Sequence, residues 1–224
     1  MKTTYYGQSC LEIEVGGKTL LFDPFITGNP LAKDIDVSTL KPDYILLSHG
    51  HGDHIADLIT IQKQSNAKVI CIAEIASWLG KQGIEAHGMN IGGGFNFEFG
   101  RVKMVNATHS SSMPDGSYGG NLAGFVIYAD GKNIYFAGDT GLTYDMKLLA
   151  EDNIDWSILP IGDNYTMGAD DAIKACDFIN CKNVVGVHYD TFPAIKIDKE
   201  EVKEKFVKAG LNLKLPAVGE SVDL

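Results

Sequence analysis

His49-Gly50-His51-Gly52-Asp53-His54 places three imidazoles and a carboxylate within six residues, in a chain of 224 residues with only six histidines. The cluster follows Tyr44-Ile45-Leu46-Leu47, a short, wholly apolar run that reads as a central buried strand ending at Ser48. His49 and His51 are two residues apart, so extended backbone sends both side chains to one side, where a single metal can take both. Gly50 and Gly52 are read as letting the loop turn tightly. Asp53 and His54 then face a second position at the start of a helix over 54–65, with Asp53 where an N-cap would stand. Neutral imidazole and carboxylate suit Zn²⁺ and other divalent first-row ions.

One loop cannot complete such a site, because catalytic zinc takes three protein ligands and keeps a position open. The remaining candidates each close an apolar run. His109 follows Met104–Thr108, Asp139 follows Ile134–Gly138, and His188 follows Val184–Val187. Strand ends at one rim of a sheet sandwich converge, which is where a site belongs. His87, in Ala86-His87-Gly88, closes no such run and reads as a loop residue.

The rest of the chain supplies the frame. Cys10–Val15 alternates apolar and polar, Gly16-Gly17 is a two-residue turn, and Thr19–Phe22 returns and stops at Asp23-Pro24. Residues 24–42 read as irregular loop. A strand over Lys68–Ala73 precedes a helix over 74–82 that ends at Gly83. Phe95–Phe99 and Val102–Val105 read as a hairpin over Gly100-Arg101, and Leu122–Ala129 and Asn133–Ala137 flank the hairpin signal Asp130-Gly131. Helices are expected near 142–151, 168–180 and 198–209, with strands over Asp155–Pro160 and Val184–Val187. Both halves run hairpins first, then strand–helix alternation. The expectation is one α/β domain over 1–224, a four-layer αββα sandwich with weak internal duplication.

Composition limits the partners. Nineteen Lys and Arg against 29 Asp and Glu leave a net charge of −10, which disfavours nucleic acid and anionic membrane. Arg101 is the single arginine, so a forked phosphate clamp is not evident. Cys10, Cys71, Cys176 and Cys181 form no CxxC pair and sit in apolar contexts, as buried reduced thiols of a cytoplasmic protein would. The N-terminus lacks the apolar core of a signal peptide, and no apolar run approaches a membrane span.

The HxHxDH stretch, His109, Gly138-Asp139-Thr140 and His188 resemble, in order and spacing, the motifs of the metallo-β-lactamase superfamily. Asp23-Pro24-Phe25-Ile26-Thr27-Gly28-Asn29 and Asn164-Tyr165-Thr166-Met167-Gly168 look like a narrower group, metal-dependent hydrolases similar to ascorbate-6-phosphate lactonase. The resemblance implies that His49, His51 and His109 bind one metal. Asp53, His54 and His188 would bind a second, Asp139 would bridge both, and Asp23 would orient a ligand histidine from behind. Two divalent ions, zinc first with manganese, iron or cobalt as alternatives, would hold a hydroxide that attacks an ester, lactone, amide or phosphodiester of a small molecule. Asp53 would orient that hydroxide and pass its proton to the leaving group. Many relatives have His after the first strand's glycine where this chain has Gln8, which could still hydrogen-bond there but is a poor metal ligand. The other reading is a non-catalytic or regulatory metal-binding protein that keeps the ligands; the complete set favours the enzyme. Homo-oligomerisation is left open.

Overall fold

Two tight turns set the strand pairing. Gly16 and Gly17, and likewise Asp130 and Gly131, all take positive φ, the geometry of a two-residue hairpin turn that matches strand twist. In the computed structural model, which describes residues 1–224, the strands and α-helices run in this order: β1 (Lys2–Gly7), β2 (Cys10–Val15), β3 (Lys18–Phe22), β4 (Tyr44–Leu46), α1 (Gly52–Ile55), α2 (Leu58–Ser65), β5 (Lys68–Ile72), α3 (Ala73–Lys81), β6 (Ala86–Met89), β7 (Gly94–Phe97), β8 (Gly100–Asn106), β9 (Ala123–Ala129), β10 (Lys132–Phe136), β11 (Trp156–Pro160), α4 (Ala169–Ile179), β12 (Asn183–Val187), α5 (Lys199–Lys208), β13 (Asn212–Lys214) and β14 (Ser221–Asp223).

These strands form two seven-stranded sheets, ordered β14-β1-β2-β3-β4-β5-β6 and β7-β8-β9-β10-β11-β12-β13. Both show the same pairing senses. The first three pairs are antiparallel and the last three parallel. Side-chain alternation splits the second sheet between two cores. Met104, Phe125, Ile127, Phe136 and Ile158 pack with Leu11, Ile13, Phe22 and Ile45 of the first sheet. The Phe22 and Phe136 rings meet across the interface, 4.8 Å apart. The opposite face, with Val126, Tyr135 and Leu159, packs on Ala172, Ala175, Ile179, Val202 and Phe206 of α4 and α5. With Leu58, Ile61, Ile75 and Leu79 of α2 and α3 in the other core, the layers are the expected αββα sandwich. All four cysteines are buried and unpaired. No helix is long and apolar enough to cross a membrane.

Several local expectations are corrected. The helix over 54–65 is two helices, because the Asp57 N–H donates to Pro24 O (3.0 Å) instead of continuing the first. The Asp57 carboxylate meanwhile accepts from the N–H groups of Ile26 and Thr27 (2.6 and 2.9 Å). Asp53 is not an N-cap: His51 holds that position with no side-chain cap, and Asp53 lies in the first turn. Tyr144–Asp152 is 3₁₀ rather than α, with Met146 and Leu149 buried at the three-residue spacing that a 3₁₀ helix aligns. Val37–Thr39 adds a further 3₁₀ turn within the irregular 24–42 segment. The β7–β8 hairpin turns at Glu98-Phe99, since Asn96 pairs Arg101 and Phe97 pairs Gly100. Phe99 is drawn in against Tyr44, 4.7 Å between centroids, which places Arg101 inside a strand. His87 is likewise a strand residue, paired with Ile70 at the parallel sheet edge. Strands β6, β13 and β14 lie outside the sequence expectations; all three are short and stand at sheet edges.

Candidate metal centre

Strand ends deliver the site. β4 ends three residues before His49, β8 three before His109, β10 three before Asp139 and β12 one before His188. All four lie on one rim of the sandwich, where cross-links fix the loops. Thr108 N–H donates to Thr140 Oγ1 (3.0 Å) and Gly141 N–H to Thr108 O (3.1 Å), so His109 and Asp139 are held by adjacent residues. His188 N–H donates to Gln8 O (2.8 Å), tying the second sheet to the first. Gly138 has φ +62° and passes so close to Ser48 that an added Cβ would sit 2.7 Å from the Ser48 Cβ, so both the backbone and the approach require glycine. Neither Gly50 nor Gly52 takes a positive φ, contrary to the tight turn expected of them. An added Cβ on Gly50 would collide with Met113 Sδ and Ser112 O, which explains glycine there by packing instead.

The donor atoms of the seven candidates fall into two groups, and Asp23 forms a third with His49 and His54. His49, His51 and His109 form one; Asp53, His54, Asp139 and His188 form the other; within each, the ligand atoms lie within 4.8 Å of one another. The Asp139 carboxylate stands between them. Its Oδ2 is 3.1 Å from His188 Nε2, 3.2 Å from His54 Nε2 and 3.9 Å from His49 Nε2. Asp53 Oδ2 is 3.6 Å from His54 Nε2 and 3.7 Å from His188 Nε2. All seven sequence candidates are thus brought together. His87 is not among them; its ring rests on Phe95 and Phe97.

A buried carboxylate behind the cluster sets the imidazole tautomers. Asp23 Oδ2 accepts from His54 Nδ1 (2.8 Å) and from Ser48 Oγ (2.6 Å). With its one proton spent on Asp23, Ser48 Oγ can only accept at its 2.9 Å contact with His49 Nδ1. Both histidines therefore carry their proton on Nδ1 and offer Nε2 to the cluster. Nearby, Gln8 Nε2 donates to Asp53 Oδ2 (2.9 Å). Gln8, Asp23 and His188 take left-handed φ of 53°, 42° and 55°, strain that the surrounding hydrogen bonds must hold. The Ser48 relay escaped the sequence reading, which allowed Gln8 a hydrogen bond at the site without naming Asp53 as its partner. The only available signal was that Ser48 abuts His49 and that Gln8 replaces a histidine.

The charges interlock. Burial pulls His49 and His51 well below the ordinary imidazole range or toward its lower end. Burial opposes the charged forms of His54 and His188 too, but Asp139 overrides it, with Asp23 assisting at His54. His54 is held well above its ordinary value and His188 is raised to about 9. Burial disfavours the Asp53 and Asp139 carboxylates, yet the facing histidines hold both well below the usual range. Divalent cations fit this arrangement. His54 Nε2 and Asp139 Oδ1 are buried without a hydrogen-bond partner, and both belong to donor sets of the kind such ions take. The donors floor a cavity of about 860 Å³, and Tyr165, Phe192 and Pro193 line it further out.

Known proteins resemble this chain in sequence and fold. Residues 18–189 match the model of the β-lactamase superfamily domain. A metal-dependent hydrolase of Flavobacterium johnsoniae is 56% identical over the whole length of both chains, and one of Christiangramia forsetii is 54% identical, again over the whole of both. Among solved structures, a metallo hydrolase of the archaeon Ignicoccus hospitalis superposes with a TM-score of 0.90 at 37% identity, over 99% of this chain and 97% of that one.

Proposed function

The chain belongs to the β-lactamase superfamily domain family and is a metal-dependent hydrolase; from that premise we propose that it cleaves an ester, lactone, amide or phosphodiester bond of a small molecule at a centre for two divalent cations. The carrying observation is the pair of donor sets either side of Asp139, with Asp139 Oδ1 and His54 Nε2 left unpartnered.

His49, His51 and His109 would hold one ion, Asp53, His54 and His188 the other, and Asp139 both. Zinc is the first candidate, with manganese, iron or cobalt suited by the same donors. When bound, the pair supplies Lewis acidity and a water acidified towards neutral pH. The chain's own residues do the rest. Asp139 stays a carboxylate and would offset part of the charge at both positions. Asp23, directly and through Ser48, keeps His54 and His49 in the tautomer that presents Nε2. Asp53 faces the cavity, partly exposed, so its carboxylate can orient the attacking water and carry its proton to the leaving group. Gln8 fixes the rotamer of Asp53 from behind. No nucleophilic serine is required.

Its place is the cytoplasm, and its partner a small-molecule substrate rather than nucleic acid or membrane. The test is elemental analysis of untreated protein, followed by lactone, thioester and phosphodiester panels. Close to two ions per chain and chelator-sensitive turnover of one panel are expected. Two bound ions without turnover of any panel would overturn the hydrolytic reading, and saturation at one ion would overturn the two-ion centre.

A further inference from the structure

The cavity above the donor sets is uneven in its chemistry. Its floor is histidine and aspartate, whereas the outer wall is Tyr165, Phe192, Pro193 and Ala194; no lysine or arginine lines it. The single arginine, Arg101, is inside β8 and donates to Asn96 Oδ1 (3.3 Å). Lys199, at the start of α5, is paired with Asp190 Oδ2 (3.1 Å) and lies over the Tyr189 ring. A phosphate on the distal part of a substrate would therefore lose its hydration and meet no cation of the protein in return.

The apolar wall is built in advance. Phe192 packs on the buried Phe25, 6.4 Å between ring centroids. The segment after it is pinned, since Asp190 N–H donates to Ile195 O (2.8 Å), Ile197 N–H to Asp190 Oδ1 (3.1 Å), and Ile195 is fully buried. Tyr165, which lines the same cavity, is exposed. It follows Asp163 and Asn164, both in left-handed backbone, and Met167 N–H ties its loop to Thr140 O (2.9 Å), next to Asp139. Two aromatic side chains on loops tied by backbone hydrogen bonds thus line one cavity and offer it large apolar area.

We propose that this site takes substrates bearing an aryl or alkyl group beside the scissile bond, seated on Tyr165 and Phe192, and rejects those carrying a phosphate or other fixed anion there. The inference rests on the hydrolase reading above and adds its substrate class. Each methylene buried on the wall strengthens binding about threefold to fourfold, and a phenyl ring more than tenfold.

The test separates recognition from turnover. Metal-loaded full-length protein is titrated calorimetrically with three carboxylates that share one chain: butyrate, 4-phenylbutyrate and 4-sulfobutyrate. 4-Phenylbutyrate should bind at least tenfold tighter than butyrate, and 4-sulfobutyrate no tighter than butyrate. Tyr165→Ala, an exposed position whose loss the fold tolerates, and Phe192→Ala should each reduce the phenyl advantage by threefold or more. A phenyl advantage under twofold, tighter binding of the sulfonate, or an advantage unchanged in both variants would overturn the proposal. Binding in the expected order with no panel turned over would leave the apolar site standing and sink the hydrolytic reading instead.

Discussion

Asp139→Asn removes a charge and almost nothing else, so its effect on the metal-free protein isolates the electrostatics of the site. Asp139 is 2% exposed, and its Oδ2 lies 3.1 Å from His188 Nε2 and 3.2 Å from His54 Nε2. Burial alone would push His188 below its ordinary 6.5, yet Asp139, helped by Asp53, lifts it to about 9. At about 1.36 kcal/mol per pH unit, that rise corresponds to roughly 3 kcal/mol favouring the folded state. His54 moves in the same direction and adds to it. The sign follows from the raised folded value: the contribution is present in full below about pH 6.5 and is lost as pH rises through about 9. Metal-free Asp139→Asn should therefore be less stable than the parent by about 3 kcal/mol at pH 6. The gap should close, or change sign, by pH 9.5, where the buried carboxylate has lost its cationic partners. Urea unfolding followed by tryptophan fluorescence at both pH values measures it, with circular dichroism to confirm the folded baseline. A pH-independent gap, or none at pH 6, would refute the ion-paired description. The same variant, loaded with metal, should lose the proposed two-ion centre, and hydrolysis should fall by orders of magnitude, because an amide NH₂ cannot ligate. Two tightly held ions with undiminished turnover would show that Asp139 is only a turn residue.

Metal loading at pH 7 should release protons, since His54 and His188 must give theirs up to bind; calorimetry in buffers of different ionisation enthalpy would expose a release below one proton per chain as contrary. His109→Ala should lose one ion or most activity while His87→Ala keeps both, because His87 rests on Phe95 and Phe97 away from the cluster; equal losses would indicate the wrong histidine. Gln8→Ala should lower kcat between about tenfold and a hundredfold, the range of one hydrogen bond to a charged group, with KM and metal content little changed; kcat within twofold of the parent would remove Gln8 from the positioning of Asp53.

Whatever depended on neighbours in the chain was legible before folding. The Gly16-Gly17 and Asp130-Gly131 turns are two-residue events, and the buried strands announce themselves by continuous apolar runs. The seven donor residues were legible too, because a polar, ionisable group directly after a buried strand has few other uses. The resemblance to known hydrolases extended this to which of these side chains lie together. Short edge strands were not legible: β13 and β14 hold three residues each, too few to show a period, and they are strands only because β12 and β1 present unpaired backbone. The hairpin turn at Glu98-Phe99 was displaced by Tyr44, fifty-five residues from Phe99, and the break between α1 and α2 by the loop at Pro24–Thr27. Gln8 reaches Asp53 across forty-five residues, Asp23 reaches Ser48 across twenty-five, and Tyr165 and Phe192 share one cavity wall. A period or a motif encodes which side chains a segment can offer. Which atoms then meet depends on how two sheets stack, and stacking is settled by the packing of the whole core, to which no single stretch of sequence corresponds.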